Sequence, residues 1–146
     1  MHPDDPYDLD RFVRAQEDHY GAALRELMSG RKETHWMWFI FPQLRGLGQS
    51  RTAHRYGIAS LDEAAAYLEH SVLGARLLEC TRAVLRHRDR SSRQIFGYPD
   101  DLKFRSSMTL FGEVGHGDRI FEEALMAFCE GKDQATLELL GRDREG

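Results

Sequence analysis

The segment Thr34–Leu44, THWMWFIFPQL, is apolar around its whole circumference. A helix with no polar face must be buried on every side, or else the stretch is a buried extended piece. Pro42 disfavours the helical conformation at Phe41, so any helix here is short. The segment therefore predicts a brief central helix that the rest of the chain wraps.

The remaining elements have the pattern to do the wrapping. Leu9, Phe12, Val13, Gln16, Tyr20, Ala23, Leu24 and Leu27 recur at helical spacing, Asp8 is placed to cap the start, and Gly30 follows the end. Ser60 and Glu63 (SLDE) form a capping-box pattern opening a helix from Leu61 to about Glu69. The stretch 71–87 sets leucines and Val84 on one side and Arg76, Arg82 and Arg86 around the other. Pro99, Asp100 and Asp101 suit the first turn of a helix carrying Leu102, Met108, Leu110 and Phe111. Asp118 is placed to start IFEEALMAFCEG, ended by Gly131, and Asp133 to start a last short helix with Leu137 and Leu140. No sustained alternation of period two occurs, so the expected fold is all-α: one multi-helical globular domain with a short buried central helix. Its 146 residues suit one core. The ends, residues 1–7 and 142–146, are expected to be flexible.

Bulk charge narrows the function. The net charge is −4, whereas nucleic-acid binders usually show a basic excess, so no nucleic-acid partner is expected. The basic run RHRDRSSR, residues 86–93, reads as a solvated helix end and loop. The longest apolar run, Trp36 to Phe41, is far below the roughly 20 residues of a membrane span. Together with the absence of a secretory pattern in MHPDDPYDLD, this predicts a cytoplasmic protein without membrane association. Cys80 and Cys129 lie in helical patterns with no zinc spacing, so buried reduced thiols are expected, and no metal or cofactor.

Two regions place polar groups on an apolar background. In the aromatic segment, His35 is the side chain best able to exchange a proton near neutral pH. Trp36 and Trp38 could stack on a flat ring, but two positions apart they point about 200° from each other, so one at most faces a given pocket. In IFGYPDDLKFRSSMTLFG, Lys103, Arg105, Ser106, Ser107 and Thr109 offer cations and hydroxyls for a phosphate or carboxylate. Between them, Gly46, Gly48 and Ser50 in RGLGQS offer a weaker anion site at a possible helix start. Each has a plainer reading: a hydrogen-bonded buried histidine, a turn between helices, a solvated face paired with Asp100 and Asp101.

The motifs HWMWFIFPQLRGLGQS, YGI at Tyr56–Ile58, LDEAAAYL and IFGYPDDLKFRSSMTLF together resemble the bacterial family catalogued as domain of unknown function 1810. The resemblance runs from about Leu9 to Leu140. It implies a compact multi-helical domain with a short buried central helix, and it implies no established activity. Some members are labelled calpastatin, but that inhibitor is a disordered repeat protein, whereas this chain has no repeats and the composition to build a core.

Two functions follow. In the first, an anionic or nucleotide-like small molecule binds where the aromatic segment meets LKFRSSMT: Lys103 and Arg105 hold the anion, Gln43, Ser106 and Ser107 orient it, and Trp36, Ser50 and Thr109 are further candidates. In an enzymatic version His35 is the acid or base. In the second, the domain is a non-catalytic scaffold or interaction module whose polar groups satisfy one another. The distinction turns on whether the two segments meet across an open cavity.

Overall fold

The long stripe expected from Leu9 to Leu27 breaks into two helices, α1 (Asp10–Glu17) and α2 (Tyr20–Ser29). The break lets α1 pack on the central segment while α2 packs on α6 (Leu73–Leu85). Asp8 does not cap α1. Its backbone is left-handed, φ 52°, and Asp5 instead accepts from the amides of Leu9 (2.8 Å) and Asp10 (2.9 Å). The computed structural model describes residues 4–115 and 119–141. The expected start of a helix at Asp118 and the C-terminal residues 142–146 lie outside these. Gly30 ends α2 at φ 82°; its amide and that of Arg31 donate to Leu27 and Glu26, closing a left-handed cap.

The aromatic segment forms α3 (Met37–Ile40), four residues long, and Phe41 leaves it at φ −124°, ψ 74°. Trp36, Met37, Phe39, Ile40 and Phe41 are buried, and Trp38 is half-buried. A loop then carries α4 (Arg51–Tyr56) back onto α3. It closes where Ile58 donates to Gln43 O (2.8 Å) and Arg45 donates to Ile58 O (2.7 Å), a lone parallel bridge. Glycine is needed at 57, where a Cβ would lie 2.7 Å from that of Arg45.

Ser60 caps α5 (Leu61–Glu69), accepting from the Glu63 amide at 3.1 Å. Glu63 reaches one residue further back than the box predicts, to the Ala59 amide (3.0 Å). Gly74 lets α6 cross α5: a Cβ there would sit 2.1 Å from the Leu68 carbonyl oxygen. The short α7 (Ser92–Phe96) has a complete capping box between Ser91 and Gln94, so RHRDRSSR is a helix end and turn.

The next helix, α8 (Asp100–Gly112), is the second central element, packed against α5, α7, α9 (Ile120–Phe128) and α10 (Gln134–Leu140). Its middle is buried nearly all round, polar residues included: Phe104, Ser106, Ser107, Met108, Thr109, Leu110 and Phe111. Phe104 joins the halves of the core, stacking on Phe96 (4.6 Å between centroids) and meeting Phe41 edge-on (5.1 Å). The fold is a single all-α domain; no strand occurs among the described residues. No described helix is long and apolar enough to cross a membrane. Cys80 and Cys129 are free; Cys80 is buried as expected but Cys129 is only half-buried, and desolvation pushes their thiols up to about 12 and about 11.

Candidate functional site

The aromatic segment is positioned by side chains from the first two helices. Gln16 donates to Phe39 O (2.7 Å) and to the Tyr67 hydroxyl (3.2 Å), and accepts from Arg76 (3.2 Å). Glu26 accepts four bonds: from the amides of Glu33 (2.7 Å) and Thr34 (2.9 Å), the Thr34 hydroxyl (2.7 Å) and Trp36 Nε1 (3.0 Å). Burial alone would raise its carboxyl, but these donors outweigh that and hold it down at about 2. Trp36 is thus fully buried and its one polar atom is spent.

This anchoring turns His35 the other way. The sequence expectation of a buried histidine fails: with Thr34 and Trp36 both drawn to Glu26, the residue between them is exposed, and its ring bonds to no described residue. Trp38 and Gln43 line a small hollow with Leu44, Gly48, Ala53 and Tyr56. Its volume is about 10 Å³, at the lower limit for one water. Ser50 is exposed and caps α4 by accepting from the Ala53 amide (3.0 Å).

The two motif segments do meet. Lys103 Nζ lies 4.8 Å from the centre of the Trp38 ring and pairs with Asp100 at 3.4 Å; Asp100 also pairs with Lys32 at 2.9 Å, and Lys32 Nζ lies 5.0 Å from the Trp36 ring. Two ammonium groups and a carboxylate therefore seal the seam between α3 and α8, each cation over one indole.

The other candidates on α8 point elsewhere. Arg105 donates to the carbonyls of Gly131 (2.8 Å) and Lys132 (2.9 Å), closing the turn after α9. Ser106 donates to Leu102 O (3.1 Å) and to Asp133 Oδ2 (3.2 Å); Thr109 donates to Arg105 O (2.8 Å) and accepts from the Asp133 amide (2.8 Å). Asp133 also caps α10 through the Thr136 amide (3.0 Å) and hydroxyl (2.6 Å). The hydroxyl-rich run thus docks α10 onto α8.

Ser107 is fully buried and its hydroxyl has no partner. Ser107→Ala removes only an uncompensated group, so urea unfolding should show no loss and up to about 1 kcal/mol of gain. A loss above about 1 kcal/mol would reveal a hidden partner.

The polar residues that organise the domain were not singled out from sequence. Arg11 spends its N–H groups on the carbonyls of Tyr7, Asp8, Arg55 and Gly57 and on Glu63, whose side chain is 3% exposed. Two hollows of about 460 and 590 Å³ flank this arginine and are lined by arginines and acids together; others of about 500 and 590 Å³ lie against α9 and against the start of α1. The available signal was a charged or amide residue in register with an apolar stripe, as for Gln16 and Glu26. Among the described residues no cluster of three or more histidines, cysteines or acids could hold a metal.

The comparisons with known proteins agree with this architecture. The model of a family described as a protein of unknown function, DUF1810, matches residues 6–140. The chain belongs to that family. The crystal structure of the conserved hypothetical protein Rv1873 from Mycobacterium tuberculosis is similar at 53% identity and a TM-score of 0.92, covering 94% of this chain and 99% of that one. No curated protein matches. The motifs that carry the resemblance fall on the α3 segment, the stretch through α4 to Ile58, α5, and the run from the end of α7 through α8.

Proposed function

We propose that this DUF1810 domain is a non-catalytic helical interaction module whose motif residues serve the architecture and whose partner is met on the surface. One observation carries the reading: five motif donors, Trp36, Lys103, Arg105, Ser106 and Thr109, have partners within the chain, Ser107 is sealed in the core, and the hollow beside Trp38 and Gln43 is about 10 Å³. Donors already paired within the chain gain little from a ligand. The two free thiols suit a reducing compartment, and we place the protein in the cytoplasm.

A second reading, a small anionic or nucleotide-like ligand at Lys103, draws support from one feature: Lys32 and Lys103 share the single carboxylate of Asp100 beside the half-buried Trp38. Thermal shift against a panel of nucleotides and small anions separates the two. The interaction-module reading predicts no ligand-dependent rise in the intact protein, and a lower melting temperature for Lys103→Ala with or without ligand. A rise that Lys103→Ala abolishes would replace it with the ligand reading.

A further inference from the structure

The net charge of −4 conceals a segregation. Residues 25–32 and 82–98 carry eight of the chain's 20 lysines and arginines but two of its 24 acids. The fold brings these segments together. Tyr20 bonds to Glu79 and stacks under Arg76, while one end further on Arg86 touches Met28 Sδ (3.4 Å), so α2 and α6 run parallel and Arg25 falls beside Arg82. Beyond them Arg90 donates to Gly30 O (3.3 Å), and the Lys32 amide donates to Ile95 O (2.7 Å), which seats α7 against the end of α2.

The result is an exposed ridge of Arg25, Arg31, Arg82, Arg86, Arg90 and Arg93. Of the other cations, Arg11, Arg14, Lys103, Arg119 and Lys132, together with Lys32 and Arg88 of these same segments, are paired with carboxylates. None of the six ridge arginines forms an ion pair with a described residue. Of the acids in and beside these segments, Glu26 is buried under its four donors, Glu79 holds Tyr20, and Asp89 and Glu33 are exposed and form no ion pair with a described residue. At the α7 end, Tyr98 is 66% exposed with the Arg93 guanidinium 5.0 Å over one face of its ring. Next to it Gly97 has open space around its α-carbon, so the approach to the ring is clear.

Unpaired guanidiniums in a row present the forked donors that match phosphate oxygens. An exposed aromatic ring at the end of such a row adds a platform on which a base can stack, a contact that an acidic polypeptide does not need. A base is free to stack in this way only when it is unpaired. We propose that this ridge binds single-stranded nucleic acid, phosphates along the arginines and a base against Tyr98. The inference rests on the reading of the domain as an interaction module, and it gives that module a partner. It also replaces the expectation drawn from net charge, because binding responds to the local field of a face and not to the sum over the chain.

The test is fluorescence anisotropy of the intact protein with a labelled single-stranded RNA of about 12 nucleotides, a length within the range that single-strand sites use. With about five phosphates neutralised, affinity should fall about a hundredfold between about 50 and about 200 mM salt. Arg25, Arg31 and Arg82 make no side-chain bond to a described residue, so R25E/R31E/R82E should keep the helical circular dichroism while losing binding more than tenfold. Tyr98→Ala should lose about tenfold with little change in the salt dependence. Absence of binding at the lower salt, or binding that the triple reversal leaves intact, overturns the inference. If a polyglutamate peptide binds the same ridge as tightly as RNA and Tyr98→Ala changes neither, the nucleic-acid assignment falls while the interaction-module reading stands.

Discussion

Replacing Arg11 with methionine is expected to lower stability by about 4 kcal/mol, the range found when one partner of a buried ion pair is removed. Methionine keeps most of the packing volume, so the loss isolates the guanidinium. Its donors reach Tyr7 O (2.6 Å), Asp8 O (2.9 Å), Arg55 O (2.8 Å), Gly57 O (3.0 Å) and Glu63 Oε2 (2.8 Å). Without it the Glu63 carboxylate stays buried with the Ala59 amide as its remaining donor among the described residues, and the 7–8 and 55–57 segments lose their tie. In a domain of this size the melting temperature should drop by about 10 °C or more. Arg11→Lys should recover only part of the loss, because an ammonium offers three donors from one point and not five from a fork. A cost below about 1 kcal/mol in urea unfolding would mean the network is incidental.

The second large effect is expected at Glu26. Glu26→Ala strands the Trp36 indole N–H in the interior and takes the acceptor from two part-buried backbone amides and the Thr34 hydroxyl, and should cost about 3 kcal/mol. The same site gives a signed pH dependence. A glutamate in the unfolded chain titrates near about 4.3, and in the folded protein this one is held at about 2. Its contribution is therefore fully present above the unfolded value and is lost as the pH falls from there through the folded value. Urea unfolding of the wild type should weaken steeply between about pH 4.3 and pH 2. In Glu26→Ala that slope should be shallower, with the remainder coming from other carboxylates. An unchanged slope would show that the four bonds do not hold the carboxyl down.

How much of this was legible in the sequence follows from the range of each interaction. Pro42 acts on its own neighbour, so the brevity of α3 could be read directly, and Ser60, Gly30 and Asp133 cap helices at local spacing as expected. The break between α1 and α2 was not readable, because the apolar stripe continues through Asp18 and His19 and only the different packing partners of the two halves divide it. The candidate site was half readable. Polar groups on the apolar background of LKFRSSMT do need partners, but Asp133 and the carbonyls of Gly131 and Lys132, 24 to 27 residues downstream, supply them. His35 was misjudged because its orientation depends on Glu26, nine positions upstream on another helix. The arginine ridge was hidden for a related reason: α2 and α6 are distant in sequence, and only their parallel packing brings their basic ends together.

The proposed function divides motif residues that build the fold from a basic surface that meets a partner. Mapping the backbone and indole N–H resonances of the intact, isotope-labelled protein during titration with single-stranded RNA, and separately with a nucleotide, tests it most directly. The division predicts RNA-dependent shifts at Arg31, Arg82, Arg86, Arg93 and Tyr98, with Gln43, Lys103, Ser106 and the two indole N–H signals unmoved by either addition. Shifts centred on Trp38, Gln43 and Lys103, with the arginine ridge silent, would contradict it.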